Sequence, residues 1–167
     1  MLTKIITSFF LCVFLFSPAQ VDAKKVILKL ASVAPEGTPW SALAQRIKKR
    51  IQGKRKKAGE KVKVKVFLGG VLGGEKSVVR RVKRGEIDIF AGSLGALGTD
   101  VPELGVIELP FLFKNIQLAD KVLDEVILDD VKAAVLKKGY VFMMWSENGF
   151  RHIGSRERAI TKPSDLK

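Results

Sequence analysis

Hydrophobic residues change their spacing twice within residues 25–91, and this change constrains the fold more than any other feature. Residues 25–32 are rich in Val, Ile and Leu, which predicts a buried strand. Residues 39–52 carry apolar side chains every three or four positions, which predicts a helix. The buried stripe of this helix would consist of Leu43, Ala44, Ile47 and Ile51. Residues 61–67 alternate Lys with Val, which predicts a strand with one face in the core.

The rest of the chain continues this alternation of strands and helices. Thr38 and Pro39 are the residue types preferred at the cap and first turn of the first helix, and a polar turn is predicted over 54–60. The glycines of 69–74 predict a tight turn that opens the next helix. The later predicted elements are a helix over 75–84, a strand over 87–91, a helix over 117–138 and a strand over 140–145. The candidate core positions of the longest helix are Leu118, Val122, Val126, Val131 and Val135. Strand–helix–strand order with short connections predicts a mostly parallel sheet covered by helices, and such sheets bind ligands at the carboxyl ends of their strands.

The first 23 residues have the order of a secretory signal peptide. Lys4 precedes a run of twelve uncharged residues, 5–16, and Val21-Asp22-Ala23 ends the region at the positions that a signal peptidase reads. Twelve residues fall short of the roughly 20 that a membrane-spanning helix needs. We therefore expect an exported, periplasmic protein without a membrane span after cleavage. The only cysteine, Cys12, would leave with this peptide.

Positive charge is concentrated in one segment. The chain carries 30 Lys and Arg against 17 Asp and Glu, a net charge of +13. Residues 46–67 hold eleven of the basic residues and a single acidic residue, Glu60. Two interpretations stay open, a solvated outer face and a surface for anionic polymers. The solvated face is favoured, because no aromatic residue interleaves with the charges and no nucleic-acid motif is present.

The sequence lacks the motifs of nucleotide binding, metal binding and hydrolysis. Glu75 stands where a phosphate-binding loop needs Lys, and the glycines before it have no G-x-G-x-x-G spacing. His152 is the only histidine, and no G-x-S-x-G turn accompanies a serine. Metal-ligand spacing is also missing from the sequence. We therefore predict a protein that is not an enzyme and that uses no cofactor.

Six short motifs follow one another in an order that resembles a known family. They are Ala31–Trp40 (ASVAPEGTPW), Leu72–Glu75 (LGGE), Arg84–Asp88 (RGEID), Glu108–Phe113 (ELPFLF), Glu147–Arg151 (ENGFR) and Pro163–Lys167 (PSDLK). Each motif alone is weak, but together they resemble the DctP-type substrate-binding proteins of TRAP transporters. The resemblance covers nearly the whole chain after residue 23.

The resemblance implies a fold, an activity and partners. It implies a periplasmic-binding-protein-like fold of type II, in which two α/β lobes each have a mostly parallel sheet flanked by helices. A small organic acid of the carboxylate or dicarboxylate class would bind between the lobes, and membrane permease subunits would receive it for uptake. Residues 24–148 would form the first lobe, and residues 149–167 would form a linker strand and the start of the second.

The chain departs from the family pattern at its end. Many relatives continue with Gly-Leu-Lys-Ile-Arg, whose arginine makes the main bond to the ligand carboxylate, whereas this sequence stops at Lys167. We therefore expect a truncated form whose second lobe is largely missing and which binds carboxylates far more weakly than a full-length relative. Two alternatives stay open: a basic exported protein that binds anionic polymers, and a non-functional remnant.

The resemblance also implies which residues contact the ligand. Arg151 matches a ligand-facing arginine, and a guanidinium group offers a planar set of donors that fits a carboxylate. The other candidates for substrate binding are Ala34, Trp40, Glu75, Gly92 and Ser93. Glu75 has the alternative role of a first-turn carboxylate that complements the helix dipole, and Trp40 that of a packing residue. Trp145 and Phe111–Phe113 are assigned to the core.

The signal peptide generates a first testable prediction. The exported chain should begin at Lys24, because Ala23 supplies the small residue before the cleaved bond. N-terminal sequencing of the chain recovered from the periplasm of an expressing bacterium measures this directly. A periplasmic product that retains residues 5–16 would contradict the prediction.

Overall fold

The computed structural model describes residues 25–149, 154–156 and 159–166. The predicted signal peptide, Arg151 and His152 lie outside these residues. The chain divides into two compact units, the first ending at Gly92 and the second beginning at Ser93. The lobe boundary at Asn148 stays a prediction.

A three-stranded parallel sheet organises the first unit. Its strands are β1 (Val26–Ala31), β2 (Val62–Phe67) and β3 (Ile89–Phe90), in the order β2-β1-β3. The predicted parallel sheet is therefore confirmed, with β1 in the centre. The strands predicted over 25–32 and 61–67 are confirmed to within one residue at each end.

The third strand is shorter than the predicted range of 87–91. The backbone N–H of Lys29 donates to the Asp88 carboxylate at 2.7 Å, so a side chain accepts this bond of β1 in place of a strand carbonyl. The N–H of Asp88 donates to the Lys29 carbonyl at 3.0 Å, and the N–H of Ala91 donates to the Ala31 carbonyl at 3.0 Å. The pairing therefore continues beyond the two residues of β3 through irregular backbone.

Two helices cover the sheet, α1 (Pro39–Lys57) and α2 (Glu75–Lys83). The predicted capping by Thr38 is confirmed, since its hydroxyl oxygen accepts from the N–H of Ser41 at 3.3 Å. Helix α1 is five residues longer than predicted, so the polar turn predicted over 54–60 was wrong for residues 54–57. Lys and Arg are good helix formers, and their charges are favourable beside the carbonyl end of a helix.

The alternating side chains of β1 build two separate apolar clusters. Leu30 points to one face, where it packs with Ala44 of α1 and Val64 of β2. Ala31 points to the other face, where it packs with Val78 of α2 and Ile87. Adjacent strand residues point to opposite faces, so one strand anchors a helix on each side of the sheet. The predicted stripe of α1 is confirmed at Ala44, Ile47 and Ile51, which lie in or against the first cluster.

The Arg84–Asp88 motif fastens the end of α2 to β1. Gly85 follows the helix with a φ of 72°, a conformation that glycine adopts without steric cost. The next residue, Glu86, accepts bonds from the guanidinium groups of Arg81 at 2.9 Å and Arg84 at 2.6 Å. The ammonium group of Lys29 donates to the Glu86 carbonyl at 3.0 Å. These bonds give the motif a structural task in this chain.

The second unit is built from short helices. They are α3 (Leu94–Leu97), a 3-10 helix (Pro102–Glu108), α4 (Ile116–Lys121), a π-helical segment (Val122–Val126), α5 (Leu128–Lys137) and a 3-10 helix (Pro163–Leu166). The single helix predicted over 117–138 is therefore interrupted. Val131 and Val135 are buried as predicted, whereas Leu118 and Val126 are exposed, and their assignment to the core was wrong. The wider π turn changes which side chains face the core, so one helical period does not hold along the whole segment.

The strand predicted over 140–145 was wrong, since the structure assigns no strand to residues 93–149. The alternation there still has a physical meaning, because Tyr140, Phe142 and Trp145 pack against the buried cluster of this unit. The rings of Phe142 and Trp145 meet edge to face with centroids 4.8 Å apart. The indole N–H of Trp145 donates to the Leu123 carbonyl at 3.3 Å, which agrees with its predicted place in the core. Burial and the nearby Asp100 carboxylate raise the pKa of Tyr140 to about 12.

Phe111 does not lie in the core, which corrects the prediction for this residue. Its side chain is fully exposed, and its φ of 63° is uncommon for a residue with a Cβ atom. Leu112 is also exposed, and Phe113 is partly buried. An apolar run is by itself no proof of burial, because the backbone turn decides where each side chain points.

The ion pairs of Glu86 generate a prediction about pH. Hydrogen bonds from Arg84 and Arg81 hold the pKa of Glu86 below its ordinary value of 4.5. The folded state is therefore stabilised by this carboxylate above that value, and the stabilisation is lost as the pH falls through the lowered pKa. In urea unfolding, Glu86→Gln should be less stable than wild type at neutral pH, and the difference should shrink in acid. Glu36→Gln, a loop carboxylate, is the matched control and should change little. An equal difference at neutral and acidic pH would rule out this role for Glu86.

Candidate site at the carboxyl ends of the strands

The loops that follow β1 and β2 are bonded to each other. The N–H of Ser32 donates to the Phe67 carbonyl at 2.9 Å, and the N–H of Gly69 donates to the Ala34 carbonyl at 2.9 Å. The N–H of Ala34 donates to the Ser32 hydroxyl oxygen at 3.2 Å. Because the strands are parallel, these loops meet at one edge of the sheet, as the sequence predicted. Ala34 therefore lies at this edge with its backbone already engaged.

Trp40 is held at the same edge by the start of α1. The Thr38 hydroxyl donates to the Pro35 carbonyl at 2.8 Å, and the Ser41 hydroxyl donates to the Thr38 carbonyl at 2.8 Å. These bonds fix the turn that carries Trp40 into the first turn of the helix. The Trp40 side chain keeps 39% of its surface exposed, which an apolar wall of a binding site would need.

The structure brings together two of the predicted site residues, Glu75 and Gly92. A Cβ atom added to Gly92 would lie 2.6 Å from Oε1 of Glu75 and closer still to Cζ of Phe90. The Glu75 carboxylate and the Phe90 ring therefore occupy the space that a side chain at position 92 would need. The close approach of these two side chains, and not the backbone angles, favours glycine here.

Two helices begin at this edge, which gives it a positive electrostatic contribution. The N-termini of α1 and α2 follow the carboxyl ends of β1 and β2, and helix N-termini present backbone N–H groups and a partial positive charge. Gly74, the cap residue of α2, offers no side-chain bond to the helix. Glu75 is the acidic residue of the first turn of α2, the position favoured by the helix dipole.

Two predicted residues remain, Ser93 and Arg151. Ser93 opens the second unit, where its hydroxyl oxygen accepts from the N–H of Ala96 at 3.3 Å and caps α3. Arg151 lies outside the described residues. Phe90 was not predicted as a site residue. The sequence signal that could have identified Phe90 was its place near the end of a predicted strand, two residues before Gly92.

Within residues 25–149, 154–156 and 159–166, no three His, Cys, Asp or Glu side chains come together as a metal-binding group. None of the helices within these ranges is both long and apolar enough to cross a bilayer.

Residues 30–167 match the family model of DctP, the bacterial extracellular solute-binding proteins of family 7. The chain belongs to this family. The relationship predicted from the six motifs is thereby confirmed, and the family consists of substrate-binding proteins of transporters.

Curated relatives agree with this membership. A solute-binding protein of Verminephrobacter eiseniae is 31% identical over 89% of this chain and 42% of its own length. The C4-dicarboxylate-binding protein DctB of Bacillus subtilis is 27% identical over 86% of this chain and 40% of its own length. The 2,3-diketo-L-gulonate-binding periplasmic protein YiaO of Escherichia coli is 33% identical over 64% of this chain and 32% of its own length. The chain thus spans less than half the length of these relatives.

Solved structures share the fold. A TRAP periplasmic solute-binding protein from Bordetella bronchispeptica matches with a TM-score of 0.77 and 35% identity, over 86% of this chain and 46% of that one. A counterpart from Polaromonas sp. JS666, bound to D-erythronate, matches with a TM-score of 0.64 and 30% identity, over 70% and 38% of the two chains. The sugar-acid-binding protein DctPAm from Advenella mimigardefordensis, in complex with galactonate, matches with a TM-score of 0.62 and 28% identity, over 71% and 37%. The predicted fold class, a type II lobe with a parallel sheet flanked by helices, is therefore confirmed.

The contact at Gly92 generates a prediction about stability. Gly92→Ala should lower the free energy of unfolding by about 1 kcal/mol, because the Glu75 carboxylate and the Phe90 ring must move aside. Adding Glu75→Ala to Gly92→Ala should recover part of this loss, since one of the two obstacles is removed. Chemical denaturation of the single and double variants measures both effects.

The matched control for this test is Gly53→Ala, in the interior of α1. A Cβ atom at position 53 would meet nothing within 4 Å, so this variant should gain about 0.5–1 kcal/mol from helix propensity. A Gly92→Ala variant as stable as the wild-type chain would mean that the contact with Glu75 is loose.

Proposed function

We propose that this chain takes part in the capture of a small organic acid for uptake by a TRAP transporter. Membership of the DctP family carries the proposal. The ligand names of the relatives support it, since D-erythronate, galactonate, 2,3-diketo-L-gulonate and C4-dicarboxylates all carry a carboxylate. The edge formed by the carboxyl ends of the strands is the proposed site.

The proposed site combines groups suited to an acid that also carries hydroxyl groups. Arg151 would bind the carboxylate through two parallel hydrogen bonds, and the N-termini of α1 and α2 would favour its negative charge. Glu75 would accept hydrogen bonds from ligand hydroxyls, and Trp40 would cover the apolar carbons of the ligand. Ala34, Gly92 and Ser93 would line the site with small residues that leave room for the ligand.

The proposed cycle is capture and delivery without a chemical step. Ligand contacts to two lobes would favour a closed state, since closure adds contacts that the open state lacks. TRAP permease subunits would then receive the acid at the membrane. We further propose that the protein acts in the periplasm, after removal of the predicted signal peptide, and that it catalyses no reaction.

The proposed function predicts binding that depends on the ligand carboxylate. Galactonate added to the ¹⁵N-labelled chain from Lys24 should shift the amide resonances of Ala34, Gly92 and Ser93. Galactitol has the same carbon skeleton with a hydroxyl in place of the carboxylate, and it should cause no such shifts. Two-dimensional NMR titration measures weak and tight binding alike.

Variants of Arg151 test its role in the same titration. Arg151→Ala should weaken galactonate binding about 10- to 100-fold, because a hydrogen bond to a charged group is lost, and Arg151→Lys should restore only part of it. Arg156→Ala removes an exposed guanidinium nearby in sequence and is the control. Shifts of equal size with galactitol, or no shifts with either compound, would refute the proposed site.

A further inference from the structure

Basic side chains are gathered at the amino end of the sheet, opposite the proposed ligand site. Val26 of β1 pairs with Val62 of β2, so both strands start at one edge. Helix α1 ends there, because it runs back across the sheet before β2 begins. The basic residues of this edge, called the amino-edge cluster below, are all exposed: Lys25, Lys54, Arg55, Lys56, Lys57, Lys61 and Lys63.

Acidic residues of α1 and β2 hardly offset these charges. Residues 46–67 contain a single acidic residue, Glu60, which pairs with Arg55 at 2.9 Å. Two more acids, Glu86 and Asp88, precede β3 at this end of the sheet, and both are already bonded there, Glu86 to two arginines and Asp88 to the backbone of Lys29. Close positive charges repel one another, so a cluster of this kind lowers its energy when an anionic surface approaches.

Local structural roles account for only part of the cluster. Basic residues in the last turn of α1 complement the helix dipole, and the lysines of β2 discourage pairing at an exposed sheet edge. The outer side of β2, an edge strand of the sheet, is also protected by Gln52, because the side-chain oxygen of Gln52 accepts from the N–H of Val64 at 2.7 Å. The dipole accounts for cations in the last turn of α1 only, and an edge strand needs charge of either sign, so these roles do not account for the near absence of acidic residues from the whole segment 46–67.

Apolar side chains at the same edge indicate the kind of partner. Val26 and Ile27 begin β1 and are 46% and 44% exposed. Lys25 precedes these two residues in the chain, and Lys61 and Lys63 flank them on the neighbouring strand. Ile27 pairs with Lys63, and the N–H of Val26 donates to the Lys61 carbonyl. Cations around exposed aliphatic groups suit a surface that is anionic outside and apolar beneath. Base stacking would need aromatic groups, and none occurs among residues 25–39 or 41–66.

We propose that the amino-edge cluster is a docking surface for an anionic lipid bilayer. Lys and Arg side chains are attracted to acidic headgroups within about a Debye length, and Val26 and Ile27 would enter the headgroup boundary. The carboxyl edge of the sheet would then face away from the lipid. This proposal does not rest on ligand capture, because it uses the opposite end of the sheet.

Vesicle flotation tests the proposal with the chain from Lys24, which keeps every described residue and removes the apolar residues 5–16. Vesicles of phosphatidylcholine with about a third phosphatidylglycerol should bind the chain, and pure phosphatidylcholine should not. Raising the salt from low to well above physiological concentration should weaken binding by at least about tenfold. Equal binding to both vesicle types would overturn the proposal.

A pair of charge-reversed variants separates the cluster from net charge. Lys56→Glu, Lys57→Glu and Lys63→Glu together should weaken vesicle binding by at least about tenfold. The matched control changes Lys114, Lys137 and Lys138 to Glu in the second unit. It alters the net charge by the same amount, and Lys137 and Lys138 lie at the end of α5 as Lys56 and Lys57 lie at the end of α1. The control should bind nearly as well as wild type, and both variants should keep the unfolding transition of the wild-type chain.

Three results would count against docking on lipid. Equal losses in the two variants would show a response to net charge alone. If the variant with the three changes in the amino-edge cluster binds vesicles as well as wild type, the cluster is not the lipid-binding surface. Tighter binding to heparin or DNA than to the anionic vesicles would assign the cluster to a soluble polyanion. Galactonate titration of the same variants reports separately on ligand capture.

Discussion

The central strand β1 is the constraint on which the rest of the first unit depends. Leu30 and Ala31 are adjacent in sequence and almost completely buried, but they belong to opposite faces of the sheet. Each face therefore needs a helix, and α1 and α2 supply them as crossovers between parallel strands. Because both crossovers run in the same direction, both helices begin at the carboxyl edge of the sheet. The position of the proposed ligand site follows from this arrangement.

Three of the six motifs by which the family can be recognised have structural tasks in the first unit. The residues before α1 hold Thr38 and Ser41 in a capped helix start, and the glycines before Glu75 turn the chain into α2. The residues after α2 pair Glu86 with two arginines. These tasks are set by the backbone geometry of the first unit. The motifs therefore indicate the fold, and the ligand class stays a proposal.

The parallel sheet also separates two electrostatic environments. At the carboxyl edge, two helices begin, and the Glu75 carboxylate lies beside the small residue Gly92. At the amino edge, the last turn of α1 and the first residues of β2 carry cations with almost no acid among them. The carboxyl edge is thus the proposed site for a small ligand, and the amino edge is the proposed surface for an anionic bilayer. The apolar clusters lie between the two edges.

Local sequence was sufficient for the elements whose signals are local. The spacing of apolar residues, the Thr38 cap and the Lys/Val alternation determined β1, β2 and the start of α1, because each depends on a few adjacent residues. The succession of strand, helix and strand determined that the strands are parallel. Tertiary structure decided the rest. The π segment at Val122–Val126, the exposure of Phe111 and the absence of a strand over 140–145 depend on which surfaces pack together. Glu75 and Gly92 lie 17 residues apart and meet only because α2 packs against the sheet beside β3. The sequence alone determined the candidate residues and the carboxyl edge as the expected place of a ligand site, and only packing decided that Glu75 and Gly92 touch.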